Sequence, residues 1–145
     1  MRMTVLSDYS LRVLMYLAAR PERLVTIQEI ATAYKISENH LMKVVHGLSK
    51  SGFVETVRGR GGGMRLGMAP QEISIGAVLR SSEDDFDLVE CFGENDACRL
   101  TTVCRLKRVL QKALQAYLAE LDRWTLADIV RRPKLLLDAL SIDEA

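Results

Sequence analysis

Four of the six residues from Arg58 to Gly63 are glycine, and a helix does not survive such a run because glycine loses the most backbone freedom on ordering. The chain must reverse there. Before the run, 53–57 alternates apolar and polar residues, and after it 64–66 resumes the extended pattern, so the segment reads as a two-stranded hairpin. Immediately upstream lie two short helical patterns. Thr26, with Glu29 three residues on, reads as a capping box for a helix carrying Ile27, Ile30 and Ala31 and ending near Tyr34. Ser37 caps the next, whose stripe is Leu41, Val44, Val45 and Leu48 and whose exit is Gly52. Two short helices with a tight turn, followed by a hairpin, predict a winged helix-turn-helix.

A longer helix precedes them, capped by Ser7, closed by Pro21 and carrying Leu11, Leu14, Met15, Leu17 and Ala18 on one face. Downstream, 71–80 repeats a short helical pattern, and 81–96 is acidic and irregular. From Val103 to Leu121 apolar residues then recur at spacings of three and four, and Leu110, Leu114, Tyr117 and Leu121 share a face. Thr101 or Thr102 is the expected cap of this long helix. It is too long for a small winged domain to cover, which points to a homodimer across it. A last short helix, capped by Thr125, leads past Pro133 into an apolar run, Leu135 to Leu137, with no assigned role. The expected organisation is a mainly α fold with a small β wing: a DNA-binding domain over 1–80, a cysteine loop over 81–104, a dimerisation helix over 101–123, and a C-terminal helix and tail over 124–145.

Charge separates the halves. The 145 residues sum to +1, but residues 1–70 hold ten Lys or Arg against five Asp or Glu, so the first part is +5 and the remainder −4. A basic module joined to an acidic one fits a polyanion partner for the first. On the third helix Ser37, Glu38, Asn39, His40 and Lys43 occupy the end that enters a major groove in helix-turn-helix docking. Asn reads adenine there, and Lys reaches guanine or phosphate. Arg58, Arg60 and Arg65 surround Gly61 and Gly62, where arginines neutralise phosphate while the backbone approaches a narrow groove. A nucleotide-cradling loop is disfavoured, since no Gly-Lys-Ser/Thr follows and the turn joins two strands. The partner implied is a double-stranded DNA operator, palindromic if the chain is a dimer.

The three cysteines, Cys91, Cys98 and Cys104, all fall within one segment. No apolar run is long enough for a membrane span and no signal-type core opens the chain, so no membrane partner and a cytoplasmic location are expected. In a reducing compartment, an odd number of clustered cysteines argues for a metal or redox site over a disulfide framework. Gaps of six and five residues are wide for the knuckles usual in structural zinc sites, which leaves zinc open but disfavoured. Cys104 falls near a helix start, with Arg99 and Arg105 close by, where thiolate is favoured. No paired acid and base and no nucleophile–base spacing suggests an enzyme.

Together, the string 7–18, the wing 57–67, the cysteine triplet, Cys104-Arg105-Leu106 and Trp124-Thr125-Leu126-Ala127-Asp128 resemble the winged-helix iron-sulfur regulators, in particular their nitric-oxide-sensing repressors. The resemblance spans about 1–130. It implies a homodimeric DNA-binding repressor with one 4Fe-4S cluster per subunit, responsive to nitric oxide. It also implies a fourth ligand, an aspartate near the start of the first helix of the other subunit, which here is Asp8. IscR-type members use a histidine three residues after the last cysteine, where this chain has Lys107. A 2Fe-2S redox or cluster-status sensor of that type is the alternative, and a zinc-stabilised structural adaptor is the reading from a different class.

Overall fold

The computed structural model describes residues 1–141; the last four residues of the expected C-terminal tail lie outside the described residues. Helix α1 (Val5–Ala19) is followed by α2 (Ile27–Tyr34), α3 (Glu38–Lys50), β1 (Val54–Val57) and β2 (Gly63–Leu66), then α4 (Ile75–Ser82), α5 (Arg105–Asp122), α6 (Leu126–Ile129) and α7 (Pro133–Ser141). The fold is mainly helical with one two-stranded antiparallel sheet, as the sequence predicts.

Local chemistry sets most boundaries. The Thr26 hydroxyl accepts the Glu29 N–H at 3.2 Å and the Ser37 hydroxyl accepts the His40 N–H at 3.1 Å, so α2 and α3 both start where expected. The Glu29 carboxylate does not reach back to complete a capping box; Arg23 and Tyr16 donate to it instead. Gly52, at φ +83°, takes the left-handed conformation that lets α3 turn directly into β1. In the sheet Val54 faces Leu66 and Val57 faces Gly63. Met64 also exchanges two backbone hydrogen bonds with Val25, at 2.8 and 3.0 Å, which ties the wing to the loop before α2.

The core lies between α1, α2, α3, the wing base and α6. Leu14, Ile30, Leu41, Leu48, Met64, Ile73 and Leu126 are all completely or almost completely buried, each worth about 1.5–3 kcal/mol of transfer free energy. The run whose role the sequence left open forms part of α7, and Leu137 and Leu140 pack against this core on α1 and α2. No helix among the described residues is long and apolar enough to cross a membrane.

Helix α5 departs from expectation in two respects. It begins at Arg105, and its N-cap is Cys104 itself, with neither Thr101 nor Thr102 in that place. The Thr101 hydroxyl is spent locally, donating to the Cys98 carbonyl at 3.1 Å. The second departure is in its apolar stripe. Helix α5 packs on α4, and Leu110, Leu114, Leu118 and Leu121 are half-buried, whereas Leu106, Val109, Ala113 and Tyr117 form an adjoining exposed row. Tyr117 thus leaves the face on which the sequence grouped it. The α4–α5 crossing is clamped by a two-pronged ion pair between Arg80 and Asp122, laid over Gly76, where any Cβ would strike the Asp122 carboxylate.

Candidate DNA-reading face and cysteine loop

Helix α3 turns Leu41, Val44, Val45 and Leu48 into the core and leaves Glu38, Asn39, His40, Met42, Lys43, His46 and Lys50 exposed. At 3.6 residues per turn, Asn39, Lys43, His46 and Lys50 fall on one outward line. His40 stands to the side of it. Its ring meets the Tyr9 ring edge-on, with centroids 5.0 Å apart, so its first contact is α1. The Ser37 hydroxyl is engaged by the cap, and its exposed part is the helix start itself.

The wing brings Arg58, Arg60 and Gly61 to an exposed tip, with Gly62 half-buried behind it and its N–H donated to the Gly59 carbonyl at 3.0 Å. Arg65 is different. It lies on β2 opposite Glu55 and donates to that carboxylate at 3.1 Å, which holds Glu55 below the usual carboxylate range. Of the three wing arginines expected to meet phosphate, Arg65 therefore already has an anionic partner. Arg58 and Arg60 make no ion pair among the described residues.

The start of α1 is stitched to the end of α4. Thr4 caps α1 through the Ser7 N–H, and its backbone N–H and hydroxyl both donate to the Glu83 carboxylate, at 2.8 and 3.0 Å. Ser7, expected as the cap, instead has its hydroxyl 2.8 Å from that of Ser82 in a buried contact. Burial pushes Glu83 up, but the hydrogen bonds from Ser7 and Thr4 win, and its carboxyl lies below the ordinary range. Asp8 is one residue further along α1. The Arg12 guanidinium grips its carboxylate with two hydrogen bonds, of 3.1 and 2.9 Å. That guanidinium also lies over the rings of Tyr9, at 5.5 Å, and Tyr34, at 6.0 Å. Burial pushes the Tyr34 hydroxyl up to about 12, against the pull of Arg12, and as a neutral phenol it donates to the Arg12 carbonyl at 3.0 Å. Contacts therefore run from Asp8 through Arg12 and Tyr9 to His40 on α3.

Glu83 is also where the cysteine loop departs. Cys91 sits in a single 3-10 turn, Glu90–Phe92; Cys98 donates its N–H to Asp96 at 2.9 Å; and the Cys104 sulfur accepts the Lys107 N–H at 3.3 Å. All three thiols are free and half-buried. The loop does not gather them: among the described residues no group of three or more His, Cys, Asp or Glu side chains is arranged to hold a metal ion. The donor set itself fits an iron-sulfur group, since it comprises three unpaired soft ligands on one short segment, one of them at the positive end of an 18-residue helix. Asp8 stands on a different element with its carboxylate taken by Arg12.

The family model for Rrf2, an iron-dependent transcriptional regulator, matches residues 3–132. The chain belongs to the Rrf2 family. An HTH-type transcriptional regulator named NsrR, from Bacillus subtilis, is 53% identical over 146 residues, which cover 99% of this chain and 100% of that protein. A protein of the same name from Bacillus licheniformis is 58% identical over 132 residues, or 90% and 92% of the two chains. Among solved structures, IscR of T. potens matches with a TM-score of 0.73 at 26% identity, over 90% of this chain and 87% of that one. This Rrf2 chain is a DNA-binding transcriptional regulator of the winged-helix type. Beside the residues named from the sequence, the exposed side of α3 also carries Met42, His46 and Lys50. The signal was there in the heptad spacing from Asn39 to His46 and the step to Lys50, which a reading confined to the first helical turns passes over.

Proposed function

We propose that this Rrf2 regulator is a homodimeric repressor that binds a palindromic operator through α3 and the wing, and that nitric oxide releases it through a 4Fe-4S cluster, one per subunit. Cys91, Cys98 and Cys104 would hold the cluster, with Asp8 of the partner subunit as fourth ligand. The observation that carries this reading is the restriction of every cysteine to one loop, with all three thiols free and Cys104 capping a helix. The names of the relatives and the likeness to IscR support it. When bound, the cluster supplies iron that reacts with nitric oxide.

The protein's part is to make DNA affinity depend on what Asp8 touches. The carboxylate accepts two hydrogen bonds from Arg12 in the structure, and those lone pairs are the ones a metal ligand needs. Asp8 therefore has two competing partners. Arg12 packs on Tyr9, whose ring contacts His40, so a change at Asp8 reaches the reading helix through direct contacts. The serine and threonine bonds to Ser82 and Glu83 hold this end of α1 against the point where the cysteine loop starts, so each subunit presents Asp8 to its partner's cluster from a fixed place beside its own cysteine loop.

A carboxylate is a harder donor than thiolate and the weaker ligand for iron in a sulfur cluster. Asp8→Ala is therefore expected to retain iron and sulfide, by analysis of protein purified without oxygen, while its absorption spectrum responds to nitric oxide at a different rate from wild type. Identical spectra and identical reaction rates would remove Asp8 from the ligand set.

A further inference from the structure

Two residues on the outward side of α3 have no explanation within the chain. Met42 is 57% exposed and lies outside the core cluster. Gly47 is in mid-helix, the least favourable place for glycine, yet a Cβ there would have nothing within 4 Å. Packing inside this molecule requires neither. Both flank the line of Asn39, Lys43, His46 and Lys50, so whatever approaches that line meets a bare backbone on one side and a flexible apolar side chain on the other.

The charge on this line selects the occupant. Lys43 and Lys50, with His46 between them, favour a polyanion, and a single methionine among polar neighbours is too little apolar surface to dock a protein or a lipid. In a major groove, the thymine 5-methyl group is the apolar handle on a base edge. Met is suited to it, because an unbranched polarisable thioether adapts to irregular apolar contacts. Asn39 lies one helical turn before Met42, and asparagine reads adenine on its N6 and N7.

We infer that Met42 is a specificity-determining residue that reads a thymine methyl group, at an A·T pair beside the one Asn39 contacts, and that Gly47 gives α3 the clearance to approach that closely. This rests on the reading of α3 as the DNA-reading helix. The test begins with a preferred site selected from random-sequence duplexes by wild-type protein purified without oxygen. Each thymine in the half-site is then replaced by uracil, which deletes only the methyl group. Wild type should lose about fourfold in affinity per half-site at one position, the value of burying one methyl group. Met42→Ala should bind thymine and uracil duplexes equally at that position, and Met42→Leu should keep the preference. Indifference of wild type to uracil at every position, a selected half-site without a fixed A·T pair, or a wild-type thymine preference in Met42→Ala would overturn the inference. Failure to select any sequence is a separate result, because it removes the DNA-reading role of α3 itself.

Discussion

Replacing any one of Cys91, Cys98 or Cys104 with alanine is expected to abolish iron and sulfide binding, and with it tight, sequence-selective DNA binding. The expectation rests on the absence of any substitute thiol, since the chain has three cysteines in all. It also rests on where they stand. Cys104 accepts the Lys107 N–H at the start of α5, so its sulfur stands at the positive end of that helix. The same contact makes Cys104→Ala ambiguous, because losing an N-cap costs about 0.5–2 kcal/mol on its own. Cys104→Ser separates the effects: a hydroxyl caps the helix well but is a poor ligand for a sulfur cluster. Circular dichroism should show an intact α5 in the serine variant while metal analysis finds no iron. Retention of iron and sulfide by Cys98→Ala, whose thiol makes no capping bond, would contradict the ligand assignment.

The second large effect is expected on assembly. Helix α5 has 18 residues and buries none of them. Its half-buried leucines accompany packing on α4, but Leu106 and Val109, at 62% and 60% exposure, lie in the adjoining row with Ala113 and Tyr117. An amphipathic helix left with an open apolar row needs another surface to cover it, and a second copy meeting it across a two-fold axis supplies the same row in return. Val109→Asp should therefore weaken the dimer by about a hundredfold or more, since an unpaired carboxylate would be buried from each subunit. The helical content should persist, because Val109 does not support the fold of its own chain. Leu114→Asp is the poorer probe, since Leu114 is half-buried within the chain and its loss would damage packing as well. Sedimentation gives the answer directly. A wild-type monomer at micromolar concentration, or an unchanged dimer in Val109→Asp, would contradict the assignment.

Features governed by neighbours in sequence were legible before the structure. Ser37, Gly52 and Thr125 do what short-range capping rules require, and the glycine run between two alternating segments could only become a hairpin. Features governed by distant partners were not. Ser7 has the chemistry of an N-cap, yet Ser82, seventy-five residues away, takes its hydroxyl and Thr4 assumes the cap. Arg65 carries no local sign that the hairpin register places Glu55 opposite it. His40 carries no local sign that α1 brings Tyr9 against its ring. The apolar stripe of α5 is visible as a period but not as two rows, because the packing of distant segments, α4 and the loop after it, decides which leucines are covered. Cys104 as a cap was missed for a simpler reason: threonines stood two and three residues before it, and hydroxyls are the expected capping groups.

The central claim is that DNA affinity in this regulator is set by an iron-sulfur cluster on the cysteine loop. It is tested most directly by measuring operator binding of protein purified without oxygen, by fluorescence anisotropy, while nitric oxide is added and iron, sulfide and zinc are determined on the same sample. The account predicts iron and sulfide in equal amounts, tight binding before addition, and affinity that falls as the cluster absorption is lost. Zinc without sulfide, or an affinity unchanged while the cluster absorption disappears, would contradict it.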